Sequence, residues 1–175
     1  MVREMKKKMF VIPFRGLKEG EHQFEFLINK TFFEDYQYDE ILDADIKVHL
    51  NFIKKSTLLE LSFVCNGTVK VACDISNELY QQPIKGNLDL VVKFGDVYNN
   101  DNEDILIIPH GEFEIDIAQY IYEMIVLSLP SKKIHPGIID GTLKSDILDK
   151  LEELEPNNEQ NNKSIDPRWD KLKGL

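Results

Sequence analysis

The sequence predicts an α+β fold: a mainly antiparallel sheet, as a meander or partial barrel, with two C-terminal helices packed on it and a flexible C-terminal tail. Three observations carry this expectation. Ile46, Val48, Leu50 and Phe52 alternate with Lys47, His49 and Asn51, and Leu59, Leu61, Phe63 and Cys65 repeat the period, as half-buried strands do. A helix-like stretch at 117–129 is polar only at Gln119, Glu123 and Ser128, and Leu143, Ile147, Leu151 and Leu154 recur at helical spacing. Residues 156–164, PNNEQNNKS, offer no apolar side chain to anchor them.

The elements follow in order. Residues 9–14 and 22–28 read as strands, with Gly16 and Gly20 marking the turn region between them. Residues 29–36 suit a short helix with Thr31 as N-cap. Strand 46–52 turns at Lys55-Ser56 into strand 59–65. Asn66-Gly67 then signals a hairpin, because both residues tolerate positive φ, and Val69, Val71 and Cys73 form the inward set of a third strand. Residues 79–94 supply one long bent strand or two short ones, interrupted near Pro83 and Gly86. A polar loop at 99–104 and a short strand at 105–108 come next. Asp116 stands three residues before Gln119, resembling a capping box, and opens a mostly covered helix ending at Leu129-Pro130. Glu123 on that helix reads as a partly buried carboxylate. A Pro/Gly-punctuated loop at 132–141 precedes the second helix.

The chain has 175 residues, 42% hydrophobic, with ten Phe and six Tyr, enough to fill one ordinary core and to exclude a wholly disordered chain. The expected organisation is a single domain over 1–155, a linker over 156–164 and an amphipathic motif over 165–175. In that motif Asp166-Pro167 makes a cap and first turn, and Trp169 and Leu172 meet on one side. It reads as a docking segment, onto a partner or back onto its own domain. The apolar run at 9–14 is too short for a secretory signal, and no stretch reaches the roughly 18 residues of a membrane span, so a soluble cytoplasmic protein is expected. Cys65 and Cys73 read as buried thiols rather than surface ones.

Charge restricts the partners. The formal net charge is −10, which repels phosphate at long range and argues against broad RNA binding. Residues 1–15 are an exception at +4, so Arg3, Lys6, Lys7, Lys8 and Arg15 are the candidate RNA contacts, or a solubilising segment. Lys54, Lys55, Lys132 and Lys133 form further basic pairs. Residues 96–123 hold eight acids and no Lys or Arg, a face for solvent or for a basic protein partner. Reaction chemistry finds no foothold. The sequence has no phosphate-binding Gly-x-x-x-x-Gly-Lys loop, no dinucleotide fingerprint, no nucleophile elbow and no His-Glu-x-x-His. No catalytic residue and no cofactor is expected.

Three blocks resemble the YceD-like family. Gly67-Thr-Val-Lys-Val-Ala-Cys73-Asp74-Ile-Ser76 is similar to a segment in which that family carries two cysteines three apart. Glu123, Leu127, Leu129 and Pro130, followed by His135, resemble its helix end and loop. Asp166, Pro167, Trp169 and Leu172 lie in a stretch similar to its C-terminal motif. The resemblance implies a non-enzymatic accessory role in synthesis, processing or stability of large-subunit ribosomal RNA, in contact with precursor RNA or with ribosomal and assembly proteins. It also implies that these residues are partner-binding candidates. In many relatives the paired cysteines, the loop histidine and a later cysteine look like a zinc quartet. Here Ser76 takes the second cysteine position and no cysteine follows Pro136, so only Cys73 and His135 remain and no metal is expected.

Overall fold

The computed structural model describes residues 8–154 except 103 and 145. The chain divides into two compact units, Met1–His135 and Pro136–Leu175. In the first, strands β2 (Gly20–Asn29), β3 (Asp43–Lys54), β4 (Leu58–Ala72), β5 (Leu79–Gly95), β6 (Asn99–Asn102) and β7 (Ile105–Pro109) form one sheet in the order β2-β3-β4-β5-β7-β6. Every pairing is antiparallel except β5 with β7. The fold is therefore α+β on a mostly antiparallel, open sheet.

Alternation decides which face is covered. Ile46, Val48, Leu50 and Phe52 of β3 are buried, as are Leu59, Leu61, Phe63, Cys65, Val69 and Val71 of β4. Between them Asp45, Lys47 and His49 face solvent, where Glu25 pairs with Lys47 at 2.9 Å and lies 3.2 Å from His49. The buried face is covered by α2 (Ala118–Leu127), through Tyr120, Ile121, Met124 and Ile125, and by Phe32 and Phe33 of the short helix α1 (Lys30–Glu34). Strand β1 (Val11–Ile12) pairs with β8 (Ile115–Asp116) and adds Phe10, Ile12, Phe14, Ile115 and Ile117 to the core.

The hairpin expected at Asn66-Gly67 is absent. β4 runs through it as one strand of fifteen residues, and Gly67 pairs with Ile46 and Ile84. Glycine is required there by close approach rather than by a turn: a Cβ at position 67 would lie 2.2 Å from the Asp45 carbonyl oxygen. β5 is likewise continuous. Pro83 is tolerated because β7 pairs only with positions 91–95, leaving the outer side of that half of β5 without a strand partner among the described residues. Gly86 pairs with Cys65 and lies under the end of α2, where an added Cβ would meet Ser128 Oγ at 2.0 Å.

Other expectations shift locally. Residues 9–14 are not one strand; 3-10 turns at Lys8–Phe10 and Phe14–Gly16 flank the two-residue β1, since Pro13 interrupts any ladder. Asn29, not Thr31, caps α1, its Oδ1 accepting from Thr31 N–H at 3.1 Å. The polar 99–102 stretch is an exposed edge strand rather than a loop, drawn into register by β7. Asp116 Oδ1 accepts from Ala118 N–H, but Gln119 bonds forward to Glu123 at 2.8 Å, so the capping box does not close. Glu123 is exposed on the outer side of α2, not partly buried. Both cysteines are buried and free. In the second unit, α3 (Pro136–Ile139) is a single turn, Leu143 N–H donates to Gly137 O at 2.8 Å, and α4 spans Asp146–Leu154. The linker and amphipathic motif expected at 156–164 and 165–175 lie outside the described residues.

Gly86→Val should destabilise the fold by about 1–3 kcal/mol through overpacking against Ser128. Gly111→Ala, at an open position, should change stability by less than about 0.5 kcal/mol. Urea denaturation of both variants checks the comparison.

Candidate functional site

The turn between β4 and β5 is built around a sulfur atom. Cys73 N–H donates to Glu78 O and Asn77 N–H to Cys73 O, both at 2.9 Å, with Asn77 in the left-handed region at φ 59°. The chain curls so that Ile75 N–H points at Cys73 Sγ at 3.4 Å. A segment 62 residues further on supplies His135 N–H at 3.3 Å. Burial by itself would raise the Cys73 thiol, but the Ser76 hydroxyl and the N–H groups of Ser76, His135 and Ile75 outweigh it and hold the thiol below its ordinary value. At Cys65 burial wins, and that thiol is pushed up.

The two segments are also joined by charge. Asp74 N–H donates to Lys133 O at 2.8 Å, and Lys133 N–H donates to Asp74 Oδ2 at 2.6 Å. Lys133 Nζ donates to Glu40 Oε2 at 2.7 Å and lies 3.9 Å from Asp74 Oδ1. Glu40 also accepts from Tyr38 OH at 3.1 Å. The Lys133 hydrogen bond, then that of Tyr38, holds the Glu40 carboxyl below its ordinary range, and Glu40 in turn raises Lys133. An open hollow of about 360 Å³ lies here, lined by Glu40, Cys73, Asp74, Asn77 and Lys133 among others. The corner is polar and cross-linked by hydrogen bonds.

A structural zinc site needs four closing ligands. Here the Cys73 sulfur already accepts protein N–H groups, Ser76 directs its hydroxyl to it, and the His135 ring packs edge-on to Tyr80 at 5.4 Å. Among the described residues, no three His, Cys, Asp or Glu side chains gather as a metal site. The donor set does not fit the metal.

Residues 61–175 match the family described as large ribosomal RNA subunit accumulation protein YceD. The chain belongs to the YceD family. No curated protein and no solved structure matches the chain. The YceD match begins within β4 and takes in both segments of the corner, whereas Tyr38 and Glu40 precede it. No helix among the described residues is long and apolar enough to cross a membrane.

The YceD motif residues do not all meet. Cys73, Asp74 and His135 converge at the corner. Gly67 lies in mid-strand, where it permits close packing of β3. Leu127 is 83% exposed, while Leu129 is half-buried and Pro130 exposed beyond the helix end. Glu123 reaches only Gln119. Asp166, Pro167, Trp169 and Leu172 lie outside the described residues, as do Arg3, Lys6, Lys7 and the side chain of Lys8. Arg15 is exposed. The basic pairs are largely committed internally. Lys54 Nζ donates to Phe14 O at 2.9 Å and Leu17 O at 2.8 Å, Lys55 pairs with Glu60, and Lys133 is held as described. Glu40, Tyr38 and Tyr80 belong to the corner but carry no periodic or motif signal in the sequence.

Ser76→Ala should raise the Cys73 thiol by removing its side-chain donor, seen as an upward shift in the pH midpoint of thiolate ultraviolet absorbance. In the wild-type chain the depressed thiol adds stability that is present above the ordinary thiol value. That contribution is lost as pH falls through the folded value. An unchanged midpoint in the variant would show that the hydroxyl does not act on the sulfur.

Proposed function

We propose that this protein supports accumulation of large-subunit ribosomal RNA as a non-catalytic, cytoplasmic binding protein, presenting the Cys73–Lys133 corner to a precursor ribosomal particle. One observation carries the reading: two segments inside the family match, about Cys73 and His135, are locked into one surface by an N–H···S bond and by hydrogen bonds between Asp74 and Lys133. A surface held this way loses little conformational entropy on binding. Ser131 and Lys132 are exposed beside it, and Asp74 is exposed while bonded to Lys133. The residues at 165–175, with Trp169, supply a second anchor.

The contact favoured is with protein, or with a protein-rich face of the particle, rather than with bare RNA. Phosphate recognition needs available cations, and Lys54, Lys55 and Lys133 are spent on internal partners. The net charge of −10 opposes approach to a polyanion.

Deletion of the gene should lower mature large-subunit RNA and the large-subunit peak on a sucrose gradient. Full-length protein should restore both. The Asp74→Ala/Lys133→Ala double variant, confirmed folded by circular dichroism and present at normal level, should not. A normal gradient in the deletion strain overturns the function, and full rescue by the double variant overturns the role of the corner.

A further inference from the structure

A second recess lies apart from the corner. A cleft of about 840 Å³ opens between the segment around Phe10, the end of α1, β7 and the start of α2, within the ~300–1,000 Å³ typical of ligand sites. Backbone pairing fixes its walls: β1 lies on β8, Ile117 N–H donates to Phe10 O at 3.0 Å, and Arg15 N–H donates to Phe113 O at 3.2 Å. The walls are aromatic. Phe10 and Phe32 meet edge to face at 5.0 Å, Phe32 contacts Tyr36 at 5.4 Å, and Tyr36 is held by a parallel stack on Tyr122 at 4.1 Å. Tyr120 OH donates to Asn100 Oδ1 at 3.2 Å, tethering the edge strand beside the opening. Tyr98 lines the cleft while remaining 58% exposed.

The lining carries one sign of charge. Asp35, Glu112, Glu114 and Asp116 belong to it, and none of its residues is Lys or Arg. Among the described residues none of these four carboxylates is in an ion pair, and Asp116 alone has a hydrogen bond, from Ala118 N–H. Burial first, and then Asp116, Glu123 and Asp35, push the Tyr36 hydroxyl up to about 12. Burial, with Tyr98 and Glu123, does the same to Tyr120. The acidic stretch read from the sequence thus contributes three of its eight acids to one recess, and α1 delivers a fourth from outside it.

We propose that this cleft is a docking groove for an extended segment of a protein partner bearing lysine or arginine side chains. Rings and carboxylates together select that chemistry. The aliphatic stems of Lys or Arg pack on Tyr98 and Phe10, and their cationic ends lie over aromatic faces and pair with the rim carboxylates. A nucleic acid or an anionic membrane meets the wrong sign of charge. Phe10, Phe32, Asp35 and Tyr36 all precede position 61, so the groove is separate from the corner and from the proposal made for it.

The test is fluorescence anisotropy of the full-length protein with a fluorescein-labelled Arg-Ser repeat peptide, against a Glu-Ser repeat peptide and an RNA oligonucleotide. Binding of the basic peptide alone is expected, weakening as salt rises. Glu112→Gln/Glu114→Gln should weaken it roughly tenfold and Tyr98→Ala several-fold, while Asp101→Asn/Asp104→Asn, outside the cleft, stays within about twofold. The corner variant Asp74→Ala/Lys133→Ala should bind the peptide normally, which keeps this proposal separable from the previous one. Equal loss in the Asp101/Asp104 control, RNA binding that competes with the peptide, or no peptide binding overturns the groove. So does a several-fold gain in affinity when Arg3, Lys6 and Lys7 are changed to Ser, because the chain's own basic segment would then be the occupant.

Discussion

The structure depends on covering one face of an open sheet. Strand alternation makes that face apolar from β3 to β7, and the opposite face stays polar and wet. Fully burying a side chain such as Phe52 or Phe63 contributes about 1.5–3 kcal/mol, so the cover must be nearly complete. It is assembled from unequal pieces: one ten-residue helix, a five-residue helix and the short paired strands β1 and β8. Seams between such pieces become recesses. The aromatic cleft lies at the seam of β1, α1 and α2, and the corner lies where the chain leaves α2.

Close approach sets the geometry of that exit. Gly86 lets the end of α2 settle against β5, and Ser128 Oγ donates back to Met124 O at 2.6 Å as the helix finishes. From there the segment 130–135 crosses over the turn at 73–78. What holds it is a set of hydrogen bonds, worth about 1 kcal/mol each when neutral and about 1.5–3 when charged. A structural zinc ion contributes about 10–16 kcal/mol in small peptide domains. Hydrogen bonds of this kind are each smaller, and the corner draws further order from the sheet beneath. The buried Cys73, the fully covered Val71 before it and the covered Tyr80 beyond it provide that support.

The sheet was legible wherever one face is buried. The alternation around Ile46 and Leu59 gives β3 and the first half of β4 directly. The Asn66-Gly67 signal misleads because it is local, yet the sequence held a corrective. A two-residue hairpin pairs positions 65 and 68 on one face, which would bury Thr68 and Lys70 rather than Val69 and Val71. The odd-numbered apolar series runs unbroken through Gly67, and that is the signature of one long strand. The edge strand β6 could not be read, since its Asn and Asp side chains are all exposed and its register comes from β7. At the corner, motif residues pointed to Cys73, Asp74 and His135. Glu40 and Tyr80 were invisible, because their roles arise from contacts between segments distant in the chain. The cleft was half legible: the run of acids was plain, but its gathering with Asp35 and the aromatic walls is a product of the fold.

We propose both surfaces for recognition, and they differ in what they offer. The corner presents locked backbone and paired charges; the cleft presents rings and unpaired carboxylates. The most direct measurement places a photo-crosslinking amino acid at Lys132 of the full-length protein in growing cells and identifies the products by mass spectrometry. The account predicts adducts with components of immature large subunits, well above those from the same probe at Lys93 on the open face of the sheet. Adducts confined to proteins unconnected with the ribosome, or equal yields from the two positions, would contradict it.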